Sequence, residues 1–191
     1  DLALDFFANR ISAALLLFTI LFYVFVYTIW LKRKTPQNIV IGGASGALPP
    51  VIGWTIATNS LSIEPLTFFL IIFFWTPSHF WALSLYKSDD YKKAKIPMLP
   101  LTSGVESTKL NILIYSALMI PVIVLPYIIG FVSLVFLVPA LILTLYYNLL
   151  CFELFSFKKN KFEAKKAKSI FGYSILYLFL IFVLFLIDKI L

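Results

Sequence analysis

Charge is what this 191-residue chain has least of: Asp, Glu, Lys and Arg together make up 13% of it, against about a quarter in soluble globular domains. Hydrophobic residues make up 61%, which assigns the chain to a membrane. A single cysteine, Cys151, excludes an internal disulfide. A single histidine, His79, excludes a zinc site built from imidazoles, and Cys151 lies far along the chain from it. The apolar runs show no in–out alternation, so a closed barrel wall is excluded. Helices remain, because a bilayer core requires backbone polar groups to be satisfied within the chain. The glycine-rich stretch Gly42 to Leu48 lacks the lysine and the preceding strand of a nucleotide-binding loop. No internal repeat of the kind common in transporter halves is present. Asp1 is not a start methionine and no cleavable signal pattern precedes the first apolar run, so the chain reads as a fragment.

What is there is a series of apolar segments near the length of about 20 residues that spans a hydrocarbon core. Six are expected, as one polytopic all-α transmembrane bundle: Ile11 to Trp30, Ile39 to Thr58, Leu66 to Leu85, Asn111 to Ile129, Phe131 to Cys151 and Ile170 to Ile187. The basic residues alternate between the connections. Lys32, Arg33 and Lys34 follow the first span; Lys87, Lys92, Lys93, Lys95 and Lys109 follow the third; Lys158, Lys159, Lys161, Lys165, Lys166 and Lys168 follow the fifth. The connections after the second and fourth spans carry none, and Asp1 and Asp5 oppose Arg10 at the amino end. The positive-inside rule therefore puts the three charged loops on the cytoplasmic face and both chain ends outside. The same rule accounts for the net charge of +7 without nucleic acid.

The chain is organised around Trp75 to Pro100, where the third apolar run ends in the histidine, an aspartate pair and several lysines. On one continuous helix, Trp75, His79, Ala82, Tyr86 and Asp90 form a single stripe. His79 then lies roughly 16 Å deeper than Asp90. Pro77, two residues before His79, is expected to kink this helix and open space beside the imidazole, and Pro121, Pro126 and Pro139 to kink later ones. In the second span Gly42, Gly43, Gly46, Pro49, Pro50 and Gly53 admit two readings: Gly42 and Gly46, four apart, let helices approach closely, or a broken helix lines a cavity.

An ionisable residue inside a span is a functional hypothesis by default. His79 reads as a neutral imidazole bonded across helices, as a metalloporphyrin ligand, or as a proton acceptor. Asp89 and Asp90 read as a solvated loop or as carboxylates for a magnesium ion shared with a phosphate. Lys32 and Arg33 suit phosphate oxygens. Aromatics reach 18%; most belong to interface belts, while those facing a cavity suit a carbocation.

Two stretches carry a specific resemblance. Tyr27 to Trp54, with Lys-Arg-Lys-Thr-Pro-Gln-Asn-Ile-Val-Ile-Gly-Gly-Ala-Ser-Gly-Ala-Leu-Pro-Pro-Val-Ile-Gly-Trp at its heart, resembles one signature of the protoheme IX farnesyltransferases, the heme O synthases. Trp-Thr-Pro-Ser-His-Phe-Trp-Ala-Leu (Trp75 to Leu83) and Asp-Tyr…Ile-Pro-Met-Leu-Pro (Asp90 to Pro100) resemble the other. These belong to the UbiA-type intramembrane prenyltransferases. The motifs cover Asn9 to Tyr115, and the rest is similar in hydropathy only.

The resemblance implies the last six helices of a nine-helix bundle around one cavity, within a single prenyltransferase domain over residues 1–191. It implies transfer of farnesyl from farnesyl diphosphate to a vinyl group of heme B, with Mg2+ held by Asp90 and Asp89. Lys32 and Arg33 then neutralise diphosphate, Asn38 and Tyr27 orient it, and His79 holds or deprotonates the heme side. Tyr86 and Trp75 complete the substrate-binding set. The implied location is a bacterial inner membrane, and the implied partners are lipid and, for the product, the next enzyme of heme A synthesis or the oxidase. The family's first aspartate-rich motif has no match here and is expected upstream of Asp1, so this chain alone is expected to be inactive. The wider superfamily pairs two aspartates four apart where this chain has Tyr86 and Asp90, which favours the heme branch. An aromatic or quinone-precursor prenyltransferase and a non-enzymatic transport or assembly component are the alternatives.

Overall fold

The computed structural model describes residues 9–156 and 160–191, with side chains except those of residues 160–163. The sequence expectations on Asp1, Asp5, Lys158 and Lys159, and on the Lys161 side chain, lie outside the described residues. All regular structure among the described residues is helical. The first span is α1 (Arg10–Leu21), continued as a π-helical stretch Phe22–Leu31. The second comprises α2 (Asn38–Gly46) and α3 (Pro49–Thr58), and the third is α4 (Glu64–Tyr86). Two short helices follow, α5 (Ser88–Lys93) and α6 (Leu99–Thr102). Then come α7 (Gly104–Ile128), α8 (Leu134–Ser156) and α9 (Asn160–Ile190).

Six helical segments are long and apolar enough to cross a membrane, as the sequence leads one to expect. Their bounds differ. The fourth begins at Gly104 rather than Asn111, because polar Glu106, Thr108 and Lys109 continue the helix beyond the apolar run. The fifth begins at Leu134 rather than Phe131, because Gly130 (φ 72°) makes a turn that only glycine adopts without strain. There the Asp188 carboxylate accepts from the backbone N–H groups of Ser133 and Phe136 and caps α8 from the end of α9. The second span is interrupted as the cavity reading requires. Helix α2 stops at Gly46, and Pro49 and Pro50 occupy the first positions of α3, where a missing N–H costs no intrahelical bond.

Helices α4, α7, α8 and α9 pack in a closed ring, each against the next. Its centre holds fully buried Trp81, Tyr147, Tyr177 and Phe136. The phenols among them are satisfied: Tyr147 donates to Ser78 Oγ at 2.8 Å, and Tyr177 meets Thr144 Oγ1 at 2.9 Å. Such interhelical bonds average about 0.6 kcal/mol in a membrane. The first two spans lean on the α4 side of this ring. Asn9 caps α1 by accepting from the Ser12 backbone N–H (2.8 Å) and donates to the Thr55 carbonyl (2.6 Å), which ties α1 to α3.

Candidate functional site

Three groups of the expected residues are visible, and the fold arranges them along α4 and the helices beside it. The first is at the end of the first span. The Lys32 ammonium lies over the Tyr27 ring, 5.8 Å from its centroid, within the range of a cation–π contact. Asn38 is buried and donates to the Lys32 carbonyl at 3.1 Å, so it holds the loop that carries Lys32 and Arg33. Its Oδ1 is buried and has no hydrogen-bond partner among the described residues. Tyr27 lies against Gly42, where a Cβ would come within 2.5 Å of the ring. A Cβ at Gly43 would come within 3.0 Å of Thr76, so this glycine admits α4. Gly46 has nothing within 4 Å of such an atom, so the close pair is Gly42 and Gly43, not the expected Gly42 and Gly46.

Between the first span, α2 and α4 lies a cavity of about 520 Å³, in the size range of small-molecule sites. Gly46 lines it, as do four aromatic rings, those of Tyr23, Tyr27, Trp75 and Phe80. Gly42 and Gly43 line it too, so both readings of the glycine-rich span hold, and the glycines that admit close packing also border the cavity.

Trp75 links this cavity to the second group. One helical turn on, its indole stacks on the His79 imidazole (centroids 4.2 Å apart, 20° between planes), and Phe171 of α9 stacks on the other side (4.5 Å, 24°). Phe80 meets the imidazole edge-on at 5.1 Å. The expected open space beside His79 is thus taken up by rings. Its Nδ1 lies 2.6 Å from Ser174 Oγ, and Trp75 Nε1 donates to the Ser174 carbonyl at 2.9 Å. Tyr86 touches the same group through Phe171, centroids 6.0 Å apart.

The third group is the aspartate pair. Helix α4 ends at Tyr86, and Lys87 (φ −111°, ψ 22°) turns the chain into α5. Asp90 therefore does not continue the stripe of His79 and Tyr86. It sits with Asp89 in the first turn of α5, exposed, and pairs with Lys87 at 3.3 Å. Tyr91 on the same helix is half-buried; burial raises its phenol above the ordinary value, and Tyr86 and Asp90 push it the same way. Among the described residues no ion pair or hydrogen bond joins Asp89 or Asp90 to Lys32 or Arg33.

Phe171 and Ser174 escaped the sequence reading. Ser174 did leave a signal, a hydroxyl inside an apolar span, but nothing in the sequence pairs it with a residue 95 positions away.

A model of the UbiA prenyltransferase family matches residues 2–181. The protoheme IX farnesyltransferase of Pelagibacter ubique (strain HTCC1062) is 85% identical over 190 residues, which cover 100% of this chain and 63% of that protein. The protein of the same name from Parvibaculum lavamentivorans is 53% identical over 183 residues, covering 96% of this chain and 58% of its own length. Protoheme IX farnesyltransferase 2 of Nitrobacter winogradskyi is 48% identical over 180 residues, covering 94% and 58%. The chain spans about three fifths of the length of these curated relatives. No solved structure matches it.

Proposed function

The chain belongs to the UbiA prenyltransferase family, and on that premise we propose that it is the carboxy-terminal portion of an enzyme that transfers farnesyl from farnesyl diphosphate to a vinyl group of heme B, giving heme O. The observation that carries this reading is Trp75. Its ring belongs at once to the wall of an aromatic cavity and to the stack around the only histidine of the chain. A site for an allylic cation thereby adjoins a group that can face a porphyrin.

In this reaction the allylic C–O bond breaks, and its electron pair leaves with diphosphate. The vinyl π bond attacks the cation, water adds at the resulting centre, and one proton is released. The rings of Tyr23, Tyr27, Trp75 and Phe80 stabilise the cation through their faces. Lys32 and Arg33 neutralise the leaving group, and Asn38 keeps their loop in position through the Lys32 carbonyl. His79 faces the heme side and offers a nitrogen lone pair.

The family resemblance implies magnesium, and the aspartates fit it. They are exposed, hard oxygen donors at the start of α5, and magnesium takes one or two carboxylates with substrate oxygens and water. Among the described residues no three metal-binding side chains converge; diphosphate oxygens, water and the aspartate-rich motif that the resemblance places upstream would supply the remaining ligands. Asp90, with Asp89 second, would hold the ion, which when bound supplies positive charge to the departing diphosphate. The family reading implies a bacterial inner membrane, and the charge pattern supports the lysine-bearing loops being on its cytoplasmic side.

The test is the full-length protein that carries this sequence, purified and supplied with farnesyl diphosphate, Mg2+ and either heme B or an aromatic quinone precursor. Farnesylated heme supports the reading. A farnesylated aromatic product with unchanged heme replaces it with the quinone branch, and diphosphate retained with every acceptor favours a non-enzymatic component.

A further inference from the structure

The contacts of Ser174 determine where the proton of His79 sits. Ser174 Oγ lies 2.7 Å from the Phe171 carbonyl oxygen, one turn back on α9, and 2.6 Å from His79 Nδ1. A serine hydroxyl has one proton. If that proton pointed at Nδ1, the hydroxyl oxygen and the carbonyl oxygen would face each other at 2.7 Å with no hydrogen between them. Both contacts are satisfied only when Ser174 donates to the Phe171 carbonyl and His79 Nδ1–H donates to Ser174. The imidazole is then the Nδ1–H tautomer, and its lone pair is on Nε2.

The ring cannot turn over to undo this. Trp75 and Phe171 hold its two faces, and Phe80 meets its edge. A flipped ring would set a carbon against Ser174 Oγ and lose the one hydrogen bond the imidazole makes among the described residues. The Trp75 indole is fixed in turn by its own bond to the Ser174 carbonyl. Among the described residues Nε2 has no hydrogen-bond partner, and His79 keeps a 7% exposed edge.

We infer that Ser174 is a positioning residue: its hydroxyl holds His79 as the Nδ1–H tautomer and so presents the Nε2 lone pair to the acceptor substrate. That the substrate facing Nε2 is a metalloporphyrin rests on the function proposed above; the tautomer itself does not.

The test is nitrogen-15 NMR of the full-length protein labelled at histidine, without substrate, with the His79 signals assigned by their loss in His79→Gln. In the unsubstituted protein one nitrogen signal is of the protonated type at Nδ1 and the other of the bare type at Nε2. Ser174→Thr, which keeps the hydroxyl, leaves this pattern; Ser174→Ala shifts the signals toward a mixture containing at least comparable Nε2–H. Heme farnesylation falls about tenfold in Ser174→Ala and returns in Ser174→Thr. An Nε2–H imidazole in the unsubstituted protein overturns the inference outright, even if Ser174→Ala fails to fold. So does an unchanged Nδ1–H pattern in Ser174→Ala. The expected tautomer in a protein that makes no heme O would instead sink the function and leave the role of Ser174 standing.

Discussion

The ring of Tyr27 lies so close over Gly42 that a Cβ at that glycine would come within 2.5 Å of it. The bare backbone of α2 is what lets a phenol from the first span reach the cavity wall. Gly42→Ala therefore displaces Tyr27, and with it the surface on which the Lys32 ammonium rests. Overpacking of this kind costs about 1–3 kcal/mol, and a loss of about 1.4 kcal/mol in transition-state stabilisation is tenfold in rate. The kcat/KM of the full-length enzyme should fall about tenfold or more. Gly53→Ala, where a Cβ has nothing within 4 Å, should leave it within about twofold.

Asp90 is exposed, and its partner Lys87 is exposed as well. Such ion pairs contribute about 0–1 kcal/mol to stability, so Asp90→Asn should fold normally. Its expected effect is loss of heme O formation with binding of heme B retained, followed by mass spectrometry of the product and by the absorbance of bound heme. Near-normal turnover would remove Asp90 from the mechanism.

The other end of the bundle makes a contrasting prediction. Asp188 accepts from the backbone of Ser133 and Phe136, and Lys189 reaches the Phe131 carbonyl. This is a cap at the start of α8, far along the helices from the aspartate pair. Removing such a cap costs about 0.5–2 kcal/mol. Asp188→Ala should lower the thermal midpoint in detergent and leave KM for farnesyl diphosphate unchanged; a changed KM with an unchanged midpoint would show the assignment to be mistaken.

Cys151 is free and completely buried in the core cluster that the four ring helices share. A maleimide should fail to label it in the folded protein and should label it fully in denaturant. Rapid labelling under native conditions would mean that the ring of four helices is open where it is described as closed.

The fold was legible because its signals are local and repetitive. Apolar runs of spanning length and lysines at alternate connections gave all six spans, and the prolines at 49 and 50 marked the break in the second. Bounds failed where a helix outran its apolar stretch, as at Gly104, or where a cap from a distant helix set the start, as at Leu134. At the site, the residues in the motifs stood out, but their relations did not. Periodicity alone carried the stripe from His79 to Asp90, and the chain instead turns at Lys87. Gly42 was recognisable as a site of close packing, but its partner is Gly43 rather than the expected Gly46, and which side chain approaches each is a matter of tertiary contact. The Ser174 bond to His79 and the Phe171 stack join α9 to α4 across a separation that no sequence period encodes.

The central claim is that this sequence works on heme. Its most direct test is mass spectrometry of heme extracted from membranes of a heme-O-deficient host that expresses the full-length protein carrying this chain, with the Asp90→Asn protein alongside. The expected products are heme O, heavier than heme B by a farnesyl and a hydroxyl group, from the first and heme B alone from the second. Heme B alone from both, with each protein shown to be inserted and a prenylated aromatic compound accumulating only with the first, would contradict it.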